Sequence, residues 1–179
     1  APPQQVLEGD VRVDPRRERA VRLLVESRLL SVLFPEAGEA ALPDSEEAAR
    51  ALRLLAALDA PSFSLSFGAL LFALRVSEHA EAIGRRWRLS NDEIDRSRCL
   101  SGNATILDDA ATRPWSAVQR LLVHPYAAEL VALHTARTQV GEGTATGVAF
   151  CRGRLAWPAE KLNPPPLISG DDLRRKGIR

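Results

Sequence analysis

The chain has 179 residues, 45% of them apolar and 26% charged, with a formal net charge of +1. That is ordinary for a globular protein and long enough for one sizeable domain or two small ones, and the near-zero charge excludes any global electrostatic argument for a nucleic-acid partner. Cys99 and Cys151 stand alone, without the C-x-x-C spacing of a zinc site or the pairs of a disulfide framework.

No run approaches the roughly 20 apolar residues of a membrane span, and the first residues lack a signal-peptide pattern. A cytoplasmic chain with no membrane partner is therefore expected. Aromatics are scarce at 5%. Alanine, leucine and arginine are abundant, which favours helix over strand. The expectation is an all-α fold, an irregular bundle of about seven or eight helices. Charge is uneven along the chain: residues 1–60 hold 8 basic and 11 acidic groups, and residues 151–179 hold 7 basic and 3 acidic. The basic excess sits at the C-terminal end.

Residues 1–14 have no helical period and read as a lead-in. Asp14-Pro15 has the form of an N-cap followed by proline at the first helical position. Ala20, Leu23, Leu24, Ser27, Leu30 and Leu33 then recur at three- and four-residue spacing, the apolar face of one amphipathic helix ending before Pro35. Arg16, Arg17, Arg19 and Arg22 near its start form either a solvated basic face or a phosphate-facing surface. Ser45 with Glu46 and Glu47 starts a helix with Ala48, Leu52, Leu55 and Leu58 on its inner side. The most apolar run, Ser62 to Arg75, reads as a central buried helix, and Ser77 to Arg88 as another. Ser90 and Glu93 have capping-box spacing for the next. Arg85, Arg86, Arg88, Arg96 and Arg98 cluster around that helix-turn-helix, as a solvated face or as contacts to an RNA backbone. Asp108-Asp109 has no third ligand beside it and reads as a solvated turn rather than a magnesium site. Pro114 and Pro125 open two further helices, the second running through Leu133. His79, His124 and His134 lack a partnering acid and nucleophile and read as structural. Gly141-Glu142-Gly143 reads as a turn, a candidate hinge between a body (15–140) and a tail (141–179).

In the tail, Pro164, Pro165 and Pro166 fix φ and remove three backbone donors, so Asn163 to Pro166 runs extended. Ser169, with Asp172 three residues on, then starts a short helix that Gly177 ends. Arg174, Arg175 and Lys176 lie at its C-terminal end.

This stretch, LNPPPLISGDDLRRKGI from Leu162 to Ile178, resembles the tail segment of the tRNA nucleotidyltransferase (CCA-adding enzyme) and bacterial poly(A) polymerase family. There a proline-rich run leads into a hydrophobic-S/T-G-x-D-L-x-x-x-G-I/L helix. Leu29-Leu30-Ser31-Val32-Leu33-Phe34-Pro35-Glu36 is similar to the family's G-L-L-x-x-x-L-P-E stretch, where the neck closes and the body opens. Arg88-Leu89-Ser90-Asn91-Asp92-Glu93 and the run from Arg113 to Pro125 follow in the family's order. One departure concerns relatives with an added metal-dependent phosphohydrolase site, which carry His-Asp after a Leu-Leu pair. Here Leu70-Leu71 is followed by Phe72-Ala73, neither of which ligates a metal.

The resemblance implies a piece of a longer protein, its helical body and the start of its tail, which positions a tRNA or other RNA 3′ end. Nucleotidyl transfer needs carboxylates holding magnesium. The family's Gly-Ser…D-x-D head motif and its E-D-x-x-R base-reading motif are both missing from the 179 residues. No catalytic residue and no metal ligand is therefore expected in this chain. Magnesium and CTP or ATP would belong to an N-terminal catalytic head, itself a partner of this region. Arg174, Arg175 and Lys176 are the leading candidates for phosphate contact, because Asp171 and Asp172 repel anions from the helix start. Two rival readings stay open: a helix-turn-helix DNA-binding module with Asn91 or Arg96 reaching bases, and a helical scaffold with no nucleic-acid affinity.

Overall fold

The computed structural model describes residues 15–164 and 174–176. The lead-in over residues 1–14, the arm beyond Pro164 and the start of the tail helix expected from the sequence lie outside the described residues. Among the described residues there is no strand, and the fold is an all-α irregular bundle. Its α-helices are α1 (Pro15–Glu26), α2 (Leu29–Leu33), α3 (Glu46–Ala56), α4 (Phe63–Ala73), α5 (Ala80–Arg86), α6 (Asn91–Gly102), α7 (Trp115–Leu122), α8 (Ala127–Gln139), α9 (Ala145–Leu155) and α10 (Ala159–Leu162), with 3-10 segments at Pro35–Ala41 and Ser77–His79. Setting aside the five-residue α2 and the four-residue α10, eight α-helices remain among the described residues, which agrees in number with the seven or eight expected.

The single helix expected from Pro15 to Leu33 is two. Arg28 takes a left-handed conformation at φ 59°, which ends α1 and turns the chain into α2. The rotation changes which side chains face inward. Val25 and Leu30 are buried, whereas Leu23 is 54% exposed. Ser45 and Ser62 cap α3 and α4 by accepting from the backbone N–H of Ala48 and Leu65 at 3.0 and 3.1 Å. α3 faces inward through Ala48, Ala51, Leu54 and Leu55, so its apolar stripe lies one step round from Leu52.

α4, which lies in the most apolar run of the chain, is the central element, with buried residues on every side. It lies between two cores. One holds Leu30, Phe34, Leu71 and Ile83 from the first half of the chain, and the other joins Leu58 to Leu107, Leu133 and Cys151 of the second half. α6 packs closely along α4. At Gly68 a Cβ would sit 3.1 Å from both the Leu100 Cβ and the Ser97 carbonyl oxygen.

The start of α6 is fixed by a full capping box: the Glu93 N–H donates to Ser90 Oγ at 3.3 Å, and the Ser90 N–H donates to Glu93 Oε2 at 2.8 Å. The Ser90 hydroxyl, which donates to Glu93 Oε2 at 2.7 Å, and the Ser90 N–H together hold the Glu93 carboxyl below its usual pKa. Ser90→Ala is expected to lower stability by about 1 kcal/mol, read as a fall in Tm of roughly 2–4 °C. Ser90→Gly should cost only a few tenths.

Two elements differ from the sequence reading in the second half. α8 runs on to Gln139, and residues 145–155, for which no helix was expected, form α9. Val148 and Cys151 of α9 join the second core, so packing continues across the boundary at 140/141. Gly141 and Gly143, at φ 82° and 79°, do form the expected turn. It is anchored rather than loose: Arg50 of α3 grips Glu142 through two hydrogen bonds of 2.7 and 2.6 Å. No helix among the described residues is long and apolar enough to cross a membrane.

Candidate nucleic-acid interface

The arginines singled out around α5 and α6 are mostly engaged by carboxylates of the protein itself. Arg85 donates to Glu81 at 2.8 and 3.0 Å, one helical turn away. Arg86 reaches back to the segment after α2: its Nη1 donates to Glu36 Oε1, and its Nη2 donates to Glu36 Oε2 at 3.1 Å and to the Leu33 carbonyl at 2.8 Å. That guanidinium holds the Glu36 carboxyl below the usual carboxylate range. Arg96 donates to Glu129 Oε2 of α8 at 2.5 Å and lies 5.3 Å from the Tyr126 ring centre. Arg98 pairs with Asp95 at 3.0 Å. Arg88, at φ 57°, is exposed and makes no ion pair among the described residues. A phosphate approaching Arg85, Arg86 or Arg96 would have to displace a carboxylate already in place.

The same geometry weakens the helix-turn-helix reading. Arg96 is tied to α8, and the exposed positions of α6 include Asn91, Asp92 and Asp95, with Arg98 taken by Asp95. Two aspartates on that face repel a DNA backbone.

A different surface carries two cations, Arg154 and Lys161, that have no carboxylate partner among the described residues. Trp115 opens α7, Trp157 follows α9, and their ring centres lie 5.5 Å apart. Arg154, in the last turn of α9 where a cation suits the helix dipole, places its guanidinium 4.1, 4.8 and 5.4 Å from the ring centres of Trp157, Phe150 and Trp115. Lys161 of α10 sits 4.0 Å from the Trp157 ring centre. Gln119 of α7 donates to the Leu162 carbonyl at 2.7 Å, which fixes α10 against α7. Nearby, Arg152 donates to Thr135 Oγ1 at 3.0 Å, and Arg120 is exposed on α7. Further along the chain, Arg174, Arg175 and Lys176 are exposed, and Arg174 and Arg175 are helical. Sequence reasoning missed the Arg154 cluster. Its signal was aromatic residues and cations interleaved over residues 150–161 of a basic C-terminal region.

Asp108 accepts from Arg137 Nη1 at 3.0 Å, and Asp109 pairs with Arg113 at 2.5 Å, so the adjacent carboxylates serve different arginines and do not fit a shared magnesium ion. Among the described residues no group of three or more His, Cys, Asp or Glu side chains could hold a metal. Cys99 lines a recess of about 220 Å³ with Asn103, His124 and Tyr126. Burial raises its thiol pKa, which works against a reactive thiolate. A groove of about 270 Å³ between α1 and α4, lined by Leu24, Phe63, Phe67 and Trp87 among others, carries no charged side chain. Comparison of the chain with models of known protein families, with curated proteins and with solved structures gives no match.

Proposed function

We propose that this chain is an RNA-binding helical region, the body and start of the tail of a nucleotidyltransferase of the CCA-adding or poly(A)-adding type. On this reading it positions the 3′ end of a tRNA or similar RNA for a catalytic head lying outside these residues. The carrying observation is the stretch from Leu162 to Ile178, a proline run followed by a short segment whose Arg174, Arg175 and Lys176 are exposed. The all-α fold agrees with it. Folded RNA is gripped through shape, phosphates and 2′ hydroxyls, which suits arginines on a rigid helical frame. CMP or AMP transfer is not assigned to this chain, because Asp108 and Asp109 are paired with arginines and do not fit a magnesium pair. RNA is favoured over duplex DNA because the exposed face of α6 is acidic and Arg96 is tied to Glu129.

The test is binding of the 179-residue chain to a tRNA transcript and to a duplex DNA of equal charge over a salt series. The expected result is tighter binding to tRNA, falling steeply with salt and weakened when Arg174, Arg175 and Lys176 are all changed to glutamine. Equally weak binding to both, unchanged by those substitutions, would make the chain a scaffold.

A further inference from the structure

We infer that the body carries a phosphate-binding site of its own, formed by Arg154 and Lys161 on the Trp115–Trp157–Phe150 cluster. Its ligand is the phosphodiester backbone of RNA. The inference rests on the RNA-binding reading above and adds a site that the sequence did not single out.

Three observations carry it. First, neither cation has a carboxylate partner among the described residues, whereas Arg85, Arg86, Arg96 and Arg98 each have one. Across α7 and the stretch from α9 to α10, residues 115–122 and 145–162, the charged groups are Arg120, Arg152, Arg154 and Lys161 against Glu160 alone. Residues 1–60 taken together hold 8 basic and 11 acidic groups.

Second, the two cations are held in place. Arg154 lies against three rings and Lys161 against one of the same rings. Ring contacts restrict these long side chains before any ligand arrives, so less freedom is lost on binding. Unlike a carboxylate, a ring restrains a guanidinium without neutralising it. Its remaining N–H donors stay available to the paired oxygens of a phosphate, the geometry arginine suits best.

Third, the frame behind the cluster is fixed. The Gln119 to Leu162 hydrogen bond ties α10 to α7, and Val148 and Cys151 seat α9 in the second core. Lys161 also precedes the proline run by only two residues.

The experiment compares tRNA binding by three forms of the 179-residue chain over a salt series: unaltered, Arg154→Gln with Lys161→Gln, and the triple glutamine variant of Arg174, Arg175 and Lys176. Circular dichroism and Tm accompany each. The double variant is expected to bind about ten-fold more weakly near 0.1 M salt, with the slope of log K against log salt reduced by about 1 to 2. A merely structural role would lower Tm without changing that slope. Should the double variant fold poorly, exposed Lys161→Gln alone is expected to reduce the slope by about 1. Arg154→Lys, which keeps the charge and loses the planar fork, should retain the slope while weakening affinity. An unchanged affinity and slope in the double variant, with binding reduced in the triple variant, would overturn this site and leave the RNA reading standing. No tRNA binding by the unaltered chain would overturn both.

Discussion

Gly147→Ala is expected to unseat α9 and to lower the stability of the protein by about 3 kcal/mol, a fall in Tm of roughly 6–12 °C. A Cβ on residue 147 would lie 2.0 Å from the Leu107 carbonyl oxygen and 3.1 Å from that of Asp108. Both obstacles are backbone atoms, so no side-chain rotation relieves the contact. The helix would have to lift, exposing Val148 and Cys151, which are 7% and 0% exposed. Thr144, whose Oγ1 donates to the Asp108 carbonyl, would move with it. Gly153 on the same helix supplies the control. Among the described residues nothing lies within 4 Å of its Cβ position, so Gly153→Ala should raise stability by about 0.5–1 kcal/mol through better helix propensity and a less flexible unfolded chain. Opposite signs at two glycines six residues apart, measured by thermal unfolding, would establish α9 as part of the body. Equal and small effects would refute that packing.

The same glycines explain why α9 was hard to read. Gly147 and Gly153, with Thr144 and Thr146 around its start, depress helix propensity where tertiary packing is decisive. Elsewhere local chemistry spoke clearly. Ser45, Ser62 and Ser90 each cap the helix expected after them, and the most apolar run, over α4, gave the central helix. At Arg28 nothing in the spacing of Leu23, Leu24, Leu30 and Leu33 announced a left-handed residue, so one helix was expected where there are two. The candidate interface was less legible for a different reason. Whether an arginine is available depends on carboxylates far away in sequence. Glu36 lies 50 residues before Arg86, Glu129 lies 33 after Arg96, and Glu142 lies 92 after Arg50. Clustering of arginines in sequence therefore pointed to a surface that the fold neutralises, while Arg154 and Lys161 stayed available because rings, not acids, hold them.

Asp108→Ala is expected to be as costly as the Gly147 change, for electrostatic rather than steric reasons. The Arg137 side chain is 6% exposed, and its guanidinium donates to both Asp108 oxygens at 3.0–3.2 Å and to the Ala104 carbonyl at 2.7 Å. The next carboxylate, Glu142, is 4.0 Å from its Nε, which is buried without a hydrogen-bond partner. Removing Asp108 leaves a buried cation poorly compensated, which costs about 3–5 kcal/mol. Adding Arg137→Met to Asp108→Ala should recover much of that loss, because a buried ion pair replaced by apolar groups is often near neutral. A double variant no more stable than Asp108→Ala would show that Arg137 matters for its volume and its bond to Ala104 rather than for its charge. His134 belongs to the same network, its Nδ1 3.4 Å from Asp108 Oδ1 and its Nε2 3.3 Å from the Asn103 carbonyl oxygen. Desolvation by burial holds its pKa below the ordinary 6.5, with the Arg137 charge acting in the same direction. The fold thus favours neutral imidazole, and the unfolded chain takes up the proton first. Stability from this group is complete above about pH 6.5 and is lost as pH falls below it. Tm is therefore expected to decline between about pH 6.5 and 5, before carboxylates such as Glu142, whose pKa Arg50 lowers from 4.5, begin to titrate. His134→Gln should flatten that part of the profile, and an unchanged slope would place the proton uptake on another group.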